Sequence, residues 1–236
     1  MCGRFAFYSP SEATAALFGV ETSHAVEPRY NIAPTQFIAA IRNNEENQPE
    51  LAMLRWGLVP FWAKDPSIGA RMINARSETV AEKPSFRAAY RKRRCLILAD
   101  GFYEWQKTDD GKIPYLISLA DGAPFAFAGL WERWDSKDSG ESLQTTTILT
   151  TAANEFMSQL HHRMPVVLQP DNAGRWLQGD TNLLTEATEN SPAFRAWPVD
   201  RKVNNARNET AALIEPVGTQ IVGRSTEKGA FLPSPL

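Results

Sequence analysis

Apolar residues along this chain fall in short runs broken by Gly, Pro, Asp and Asn, with few long periodic stretches. The runs at 37–41 (FIAAI), 51–58 (LAMLRWGL), 95–105 (CLILADGFYEW), 114–119 (PYLISL), 125–131 (FAFAGLW), 145–151 (TTTILTT) and 165–168 (PVVL) are rich in β-branched, aromatic or leucine residues, which predicts strands. Helical patterns are fewer, at 84–93, 154–160 and 171–177. One more is predicted from Ser9, where Ser9 and Glu12 have capping-box spacing and Pro10 suits the first helical position. The helices are too few and too irregularly placed for repeated βαβ units, so an antiparallel or mixed sheet with peripheral helices is expected. The polar stretches 43–50 and 135–144 read as surface hairpin loops, and the end from about 226 to 236 as loosely ordered. No linker divides the chain, and a single domain over 1–236 is expected.

Composition narrows the classes of function. With 236 residues and 43% hydrophobic content the chain can bury a substantial core. A formal net charge of −2 gives no global positive field, so any nucleic-acid contact has to come from a local patch. There is no charged-then-apolar leader, and no apolar run nears the roughly 20 residues that span a bilayer, so a cytoplasmic protein without a membrane partner is expected. The two cysteines, Cys2 and Cys95, could form one bridge at most and are expected to stay thiols in a reducing compartment. Cys95 opens the apolar CLIL run as an inert buried thiol would. No phosphate-cradling glycine loop or zinc-type cysteine spacing is present, and of the three histidines His24 lies in a polar loop while His161 and His162 are neighbours. No metal and no cofactor are expected.

What remains is polar chemistry set in apolar surroundings. Glu104 stands between Tyr103 and Trp105, where desolvation disfavours a carboxylate and suits a general acid or base. His161, in HHRMP, carries an imidazole that exchanges protons near neutral pH. Asn74, in MINARSET, donates and accepts at once and is expected in a turn. Taken singly, each is equally a surface or capping residue. Arg4, Arg71, Arg76 and Arg163, with Trp62 in WGLVPFWAKD, form the basic and aromatic mixture that single-stranded nucleic acid requires. The RKRR run at 91–94 reads as a solvated helix end. NARSET at 74–79 and NARNET at 205–210 echo one another, too briefly to mark a repeat.

In order along the chain, MCGRF, RYNIAPTQ, WGLVPFW, NARSET, PSFR, ADGFYEW, GLWE and HHRMPVVL resemble the motif series of the SRAP family of abasic-site processing proteins, and NNARNETAALIEP resembles that family's closing segment. The resemblance covers nearly the whole chain. It implies a compact α+β fold with a β-barrel-like core, and binding to single-stranded DNA and DNA junctions. It also implies a covalent link between residue 2 and an abasic site in DNA damage repair. By position, Cys2 would be the nucleophile, with Asn74, Glu104 and His161 as the polar active-site residues. His161 is chosen over His162 because the family pattern is His, any residue, Arg-Met-Pro. Arg4, Trp62, Arg76, Ser77, Thr150 and Arg163 would lie along the DNA path. Leu98 departs from the family, which often has proline there.

A terminal cysteine, exposed by removal of Met1, joins an amine and a thiol on adjacent carbons, the pair needed to close a thiazolidine on an aldehyde. The expected function is therefore covalent capture of abasic DNA by a monomer, cytoplasmic and nucleoid-associated when acting on DNA. Two alternatives stay open: a self-processing peptidase or amidohydrolase using the Cys2 thiolate, and a non-covalent single-strand-binding module.

Overall fold

A computed structural model describes residues 2–23, 25–136 and 139–223, with backbone alone at 187–189. The first half of the chain forms β1 (Phe5–Phe7), α1 (Ser11–Leu17), β2 (Arg29–Ile32), β3 (Phe37–Asn43), β4 (Pro49–Trp56), β5 (Asn74–Arg76), α2 (Arg87–Lys92), β6 (Arg94–Ala99), β7 (Gly101–Thr108) and β8 (Gly111–Leu119). The second half forms β9 (Phe125–Asp135), β10 (Ser142–Ala152), α3 (Glu155–Ser158), β11 (Arg163–Pro165), β12 (Val167–Leu168), α4 (Pro170–Leu177), α5 (Leu183–Glu189), β13 (Phe194–Pro198) and β14 (Ile221–Val222). His24 and the end at 226–236 lie outside the described residues.

Five strands close a barrel in the order β10, β4, β3, β6, β9, with β9 pairing back onto β10. The ring is antiparallel except between β10 and β4, where Thr145 and Thr146 run parallel to Arg55 and Trp56. Closure removes the open edges that a flat sheet would have to protect. The second sheet has the order β14-β13-β8-β7-β1-β2. One apolar core packs the two together. Phe5 of β1 meets Trp56 and Phe127 of the barrel edge-on, at 5.3 and 5.6 Å between ring centres, and Phe102 of β7 meets Phe127 at 6.0 Å. All four rings are fully buried, and each such pair adds about 0.5–1.5 kcal/mol beyond its area burial. The α+β architecture with a barrel core and peripheral helices is the one expected.

The run at 95–105 is two strands, because the chain turns a corner at Asp100 and passes from barrel to second sheet. The buried Asp100 carboxylate accepts from the backbone N–H groups of Tyr8 (2.6 Å) and Ser9 (2.8 Å) and from the Ser9 hydroxyl. Gly101 follows because a Cβ there would lie 2.9 Å from the Ile117 carbonyl oxygen and 2.9 Å from the Leu116 side chain. Ser9 is thus used by Asp100, so it does not cap α1. The helix starts at Ser11 with Pro10 at its cap position. Leu98, where relatives often have proline, pairs with Ala126 inside the barrel wall. The run at 165–168 also divides, at Val166, whose N–H donates to Leu149 and whose carbonyl accepts from Ala128. Asn74 lies in β5, parallel to β10 and opposite Ile148, and not in a turn.

The closing segment is fastened under β2. Buried Asn31 donates through Nδ2 to the carbonyls of Val203 (3.3 Å), Asn205 (3.0 Å) and Asn208 (2.8 Å). Glu209 accepts from the backbone of Tyr30 and Asn31 and from Arg29. The echo between NARSET and NARNET has a shared chemistry, since Glu78 and Glu209 each receive an arginine from a distant segment, Arg163 and Arg29 respectively.

Candidate active site

β1 enters the second sheet between β7 and β2, with Phe5 opposite Phe102 and Ala6 opposite Gly101. Continued towards the N-terminus, that register sets Gly3 opposite Glu104, and the Tyr103 N–H donates to the Arg4 carbonyl at 2.9 Å. Cys2 is therefore brought beside Glu104 by strand pairing. From the barrel side, Asn74 Nδ2 donates to the Cys2 carbonyl oxygen at 2.8 Å. Asn74 Oδ1 is buried and has no hydrogen-bond partner among the described residues.

The electrostatics follow from burial. Cys2 is fully buried, with Sγ 3.9 Å from the Arg4 carbonyl, and desolvation together with the nearby Glu104 charge pushes its thiol far above the usual range. At neutral pH it is a thiol, not a thiolate. Burial also pushes the Glu104 carboxyl up, opposed by the nearby His162 imidazole. His161 and His162 stack, ring centres 4.3 Å apart and planes 28° from parallel. His161 Nδ1 lies 3.0 Å from the Arg163 N–H and 3.2 Å from the Arg163 carbonyl, so the Arg163 backbone fixes the orientation of the ring. Burial holds the His161 pKa below its ordinary value, and the neighbouring His161 does the same to His162. Cys2, Asn74, Glu104 and the His161–His162 pair, from four separate stretches of chain, are thereby linked into one cluster. Cys95 is elsewhere, a buried free thiol inside the barrel, 3.3 Å from Thr146 Oγ1 and pushed up to about 12.

The residues expected along the DNA path divide into two kinds. Trp62 and Arg76 are exposed, Trp62 at 50%, and among the described residues no hydrogen bond or ion pair holds the Arg76 side chain. Arg71 is exposed as well. The others are built into the framework. Thr150 is fully buried, and its carbonyl accepts from Ser77 N–H at 2.9 Å and from Arg163 at 2.7 Å. Arg163 also makes a two-pronged ion pair with Glu78. Arg4 donates through one guanidinium nitrogen to Asn31 Oδ1 (2.7 Å) and to the Val203 carbonyl (2.8 Å). The sequence reading missed Asn31, Glu78 and Glu209. The signals that pointed towards them were the RYNIAPTQ motif, which contains Asn31, and the NARSET and NARNET echo with its two glutamates.

The sequence model of SRAP, described as SOS response associated peptidase, matches residues 1–206. The chain belongs to the SRAP family. Among SRAP relatives, Abasic site processing protein YoaM of Bacillus subtilis is 43% identical over 225 residues, covering 91% of this chain and 98% of YoaM. Abasic site processing protein YedK of Escherichia coli is 34% identical over 230 residues, covering 92% of this chain and 100% of YedK. The crystal structure of a protein from Bacteroides thetaiotaomicron matches this SRAP fold with a TM-score of 0.79 at 26% identity, covering 91% of this chain and 99% of that one. Among the described residues, no helix of this SRAP chain is long and apolar enough to cross a membrane.

Proposed function

We propose that this protein processes abasic sites in single-stranded or junction DNA by covalent capture through Cys2, once Met1 has been removed. The curated relatives carry the name abasic site processing protein, which supports the substrate class. The observation that carries the mechanism is the Asn74 Nδ2 contact to the Cys2 carbonyl, 2.8 Å long, beside the buried Glu104. A hydrogen bond spent on the carbonyl of residue 2 fixes the direction in which its nitrogen and sulfur point.

The ring-opened abasic deoxyribose is an aldehyde. The freed Cys2 α-amine adds to it and water leaves, giving an imine. The thiol then adds across the C=N bond, sulfur to carbon and its proton to nitrogen, and closes a five-membered thiazolidine. An α-amine, with a reference pKa of about 7.7–8.0 against about 10.4 for lysine, keeps a neutral fraction near pH 7. The upward-shifted thiol supports this order, amine first and sulfur second, because a protonated thiol is a poor initial nucleophile. Closure is intramolecular and gains from proximity. Glu104 manages the proton of the α-amine, His161 assists ring opening and dehydration, and the unpartnered Oδ1 of Asn74 accepts from the sugar.

The test is a denaturing gel of Met1-free protein, its terminus verified by intact mass, with single-stranded DNA carrying one abasic site. A denaturation-resistant adduct is expected from the wild type and none from Cys2→Ala or from Met1-retaining protein. Full adduct yield from Cys2→Ala would overturn the thiazolidine mechanism. Continuous abasic duplex is expected to react more slowly than single strand. The peptidase reading needs a Cys2 thiolate, which burial and Glu104 oppose. Turnover of amide substrates without any DNA adduct would restore it.

A further inference from the structure

The RKRR run divides into two halves that the chemistry at Cys2 leaves unexplained. Arg93 pairs with Glu132 at 2.6 Å, and Arg94 is buried between the rings of Tyr90 and Trp176 while donating to the carbonyls of Trp176 and Asp180. These two are framework. Arg91 and Lys92 are exposed, and among the described residues neither side chain has a hydrogen bond or ion pair. Cations complement the last turn of a helix, which alone would account for their charge. What they face is not accounted for in that way.

They line a cleft of about 620 Å³ together with Phe61, Trp131 and Arg133. Phe61 is 58% exposed, and the next residue, Trp62, is half exposed as well. Arg133 is held by Asp135 at 3.0 Å, and Arg93 by Glu132, which leaves Arg91 and Lys92 as the uncompensated charge of the cleft. That charge is local, since the chain as a whole carries −2. Unpaired cations beside an exposed aromatic face are the combination that holds phosphates and stacks a base.

We infer that this cleft is a second DNA subsite, which takes the single strand flanking the lesion, with Arg91 and Lys92 on phosphates and a base against Phe61. The placement of the lesion rests on the reading under Proposed function; the binding itself does not. Strand register gives the reach. Arg76 pairs with Thr150 at one end of β10 and Arg133 with Gln144 towards the other, six residues apart. At about 3.3 Å per residue that is about 20 Å, or about six stacked nucleotides at about 3.4 Å each. A single strand is required because a paired base cannot leave its partner to lie on Phe61.

The experiment compares wild type with the R91E/K92E double variant and with Phe61→Ala, all at exposed positions. Binding of unmodified single-stranded oligonucleotides of about four and about twelve nucleotides is measured by fluorescence anisotropy across a salt series. Adduct formation is measured in parallel on abasic oligonucleotides with short and long flanks. On the long strand, R91E/K92E should bind more weakly, with a salt slope shallower by about 1.4, at about 0.7 per lost phosphate contact. Phe61→Ala should weaken the same complex by about 5- to 150-fold. Adduct formation on the short-flank substrate should not change. Equal losses on short and long strands, or unchanged binding of the long strand, would each overturn the inference. Failure of the Cys2 chemistry would show separately, as absence of adduct from the wild type while binding of unmodified strands stays measurable.

Discussion

Glu104 is a carboxyl group placed where its charge is costly. Its folded-state pKa is raised by burial, so the folded protein holds that proton more tightly than the unfolded chain does. The group favours folding below its unfolded pKa of about 4.3, and that contribution is lost as pH rises through the higher folded value. Glu104→Gln removes the titration, so thermal unfolding should show the variant more stable than wild type at pH 7, with the difference closing near pH 4. Adduct formation by the same variant should fall by about 10²- to 10⁴-fold. A variant less stable than wild type at pH 7 would mean that the carboxylate is better compensated than its burial implies. The tension at Glu104 was legible in the sequence, because GFYEW puts a carboxylate between Tyr103 and Trp105 in an apolar run. The role of Asn74 was not, since its partner carbonyl lies 72 residues away. Arg4 and Arg163 could be recognised as arginines near the site, but not as members of the framework, because the acceptors that occupy them come from Asn31, Val203, Glu78 and Thr150.

Two crossing segments decide how the exposed aromatic residues are presented. The stretch that carries Phe61 and Trp62 leaves β4 at Gly57, with φ of +120° and its backbone set against Gly69 in the 3-10 turn at Pro66–Arg71. A Cβ on Gly57 would lie 2.5 Å from the Gly69 carbonyl oxygen, and both the angle and the contact exclude a side chain. Further on, Val59 N–H donates to Thr145 Oγ1 at 2.9 Å and the Trp134 indole donates to the Ala63 carbonyl at 2.7 Å, which hold the loop against the barrel. Gly57→Ala should cost about 1–3 kcal/mol, lowering Tm by about 2–4 °C per kcal/mol, and should weaken single-strand binding with it. An unchanged Tm would show that this crossing yields more easily than its distances suggest. The sequence showed most strands because a strand is a local apolar run. It failed where an element is defined by distant partners. The corner at Asp100 is set by donors about 90 residues away, so an unbroken apolar run across it reads as one strand. β1 and β5, three residues each, have pairing partners but no run to announce them.

At the level of the whole molecule, the first and last thirds of the chain meet at Asn31. Its Nδ2 holds three carbonyls of the closing segment while its Oδ1 holds Arg4, two residues from Cys2. Asn31→Ala would remove one acceptor from Arg4, which keeps only the Val203 carbonyl, and would strip the Nδ2 donor from three carbonyls of the closing segment, at about 1–3 kcal/mol for each buried group left unsatisfied. Both a lower Tm and slower adduct formation are expected, measured by thermal melt and by the rate on abasic single strand. Loss of stability with an unchanged adduct rate would show that Arg4 keeps its place without Asn31. The closed barrel itself was not readable in advance, because closure is a statement about β9 meeting β10 and β10 meeting β4, and no single run of residues contains it. The position of β1 between β7 and β2, its three residues all buried, has a mechanical consequence. Were a DNA strand joined at Cys2, a translocating motor hauling on it would load β1 and the Arg4 anchor directly, with only Gly3 as slack between adduct and anchor. The tension would be carried by an interior strand of the second sheet and not by a loose tail, so extracting the lesion by force would mean dismantling the fold from its middle.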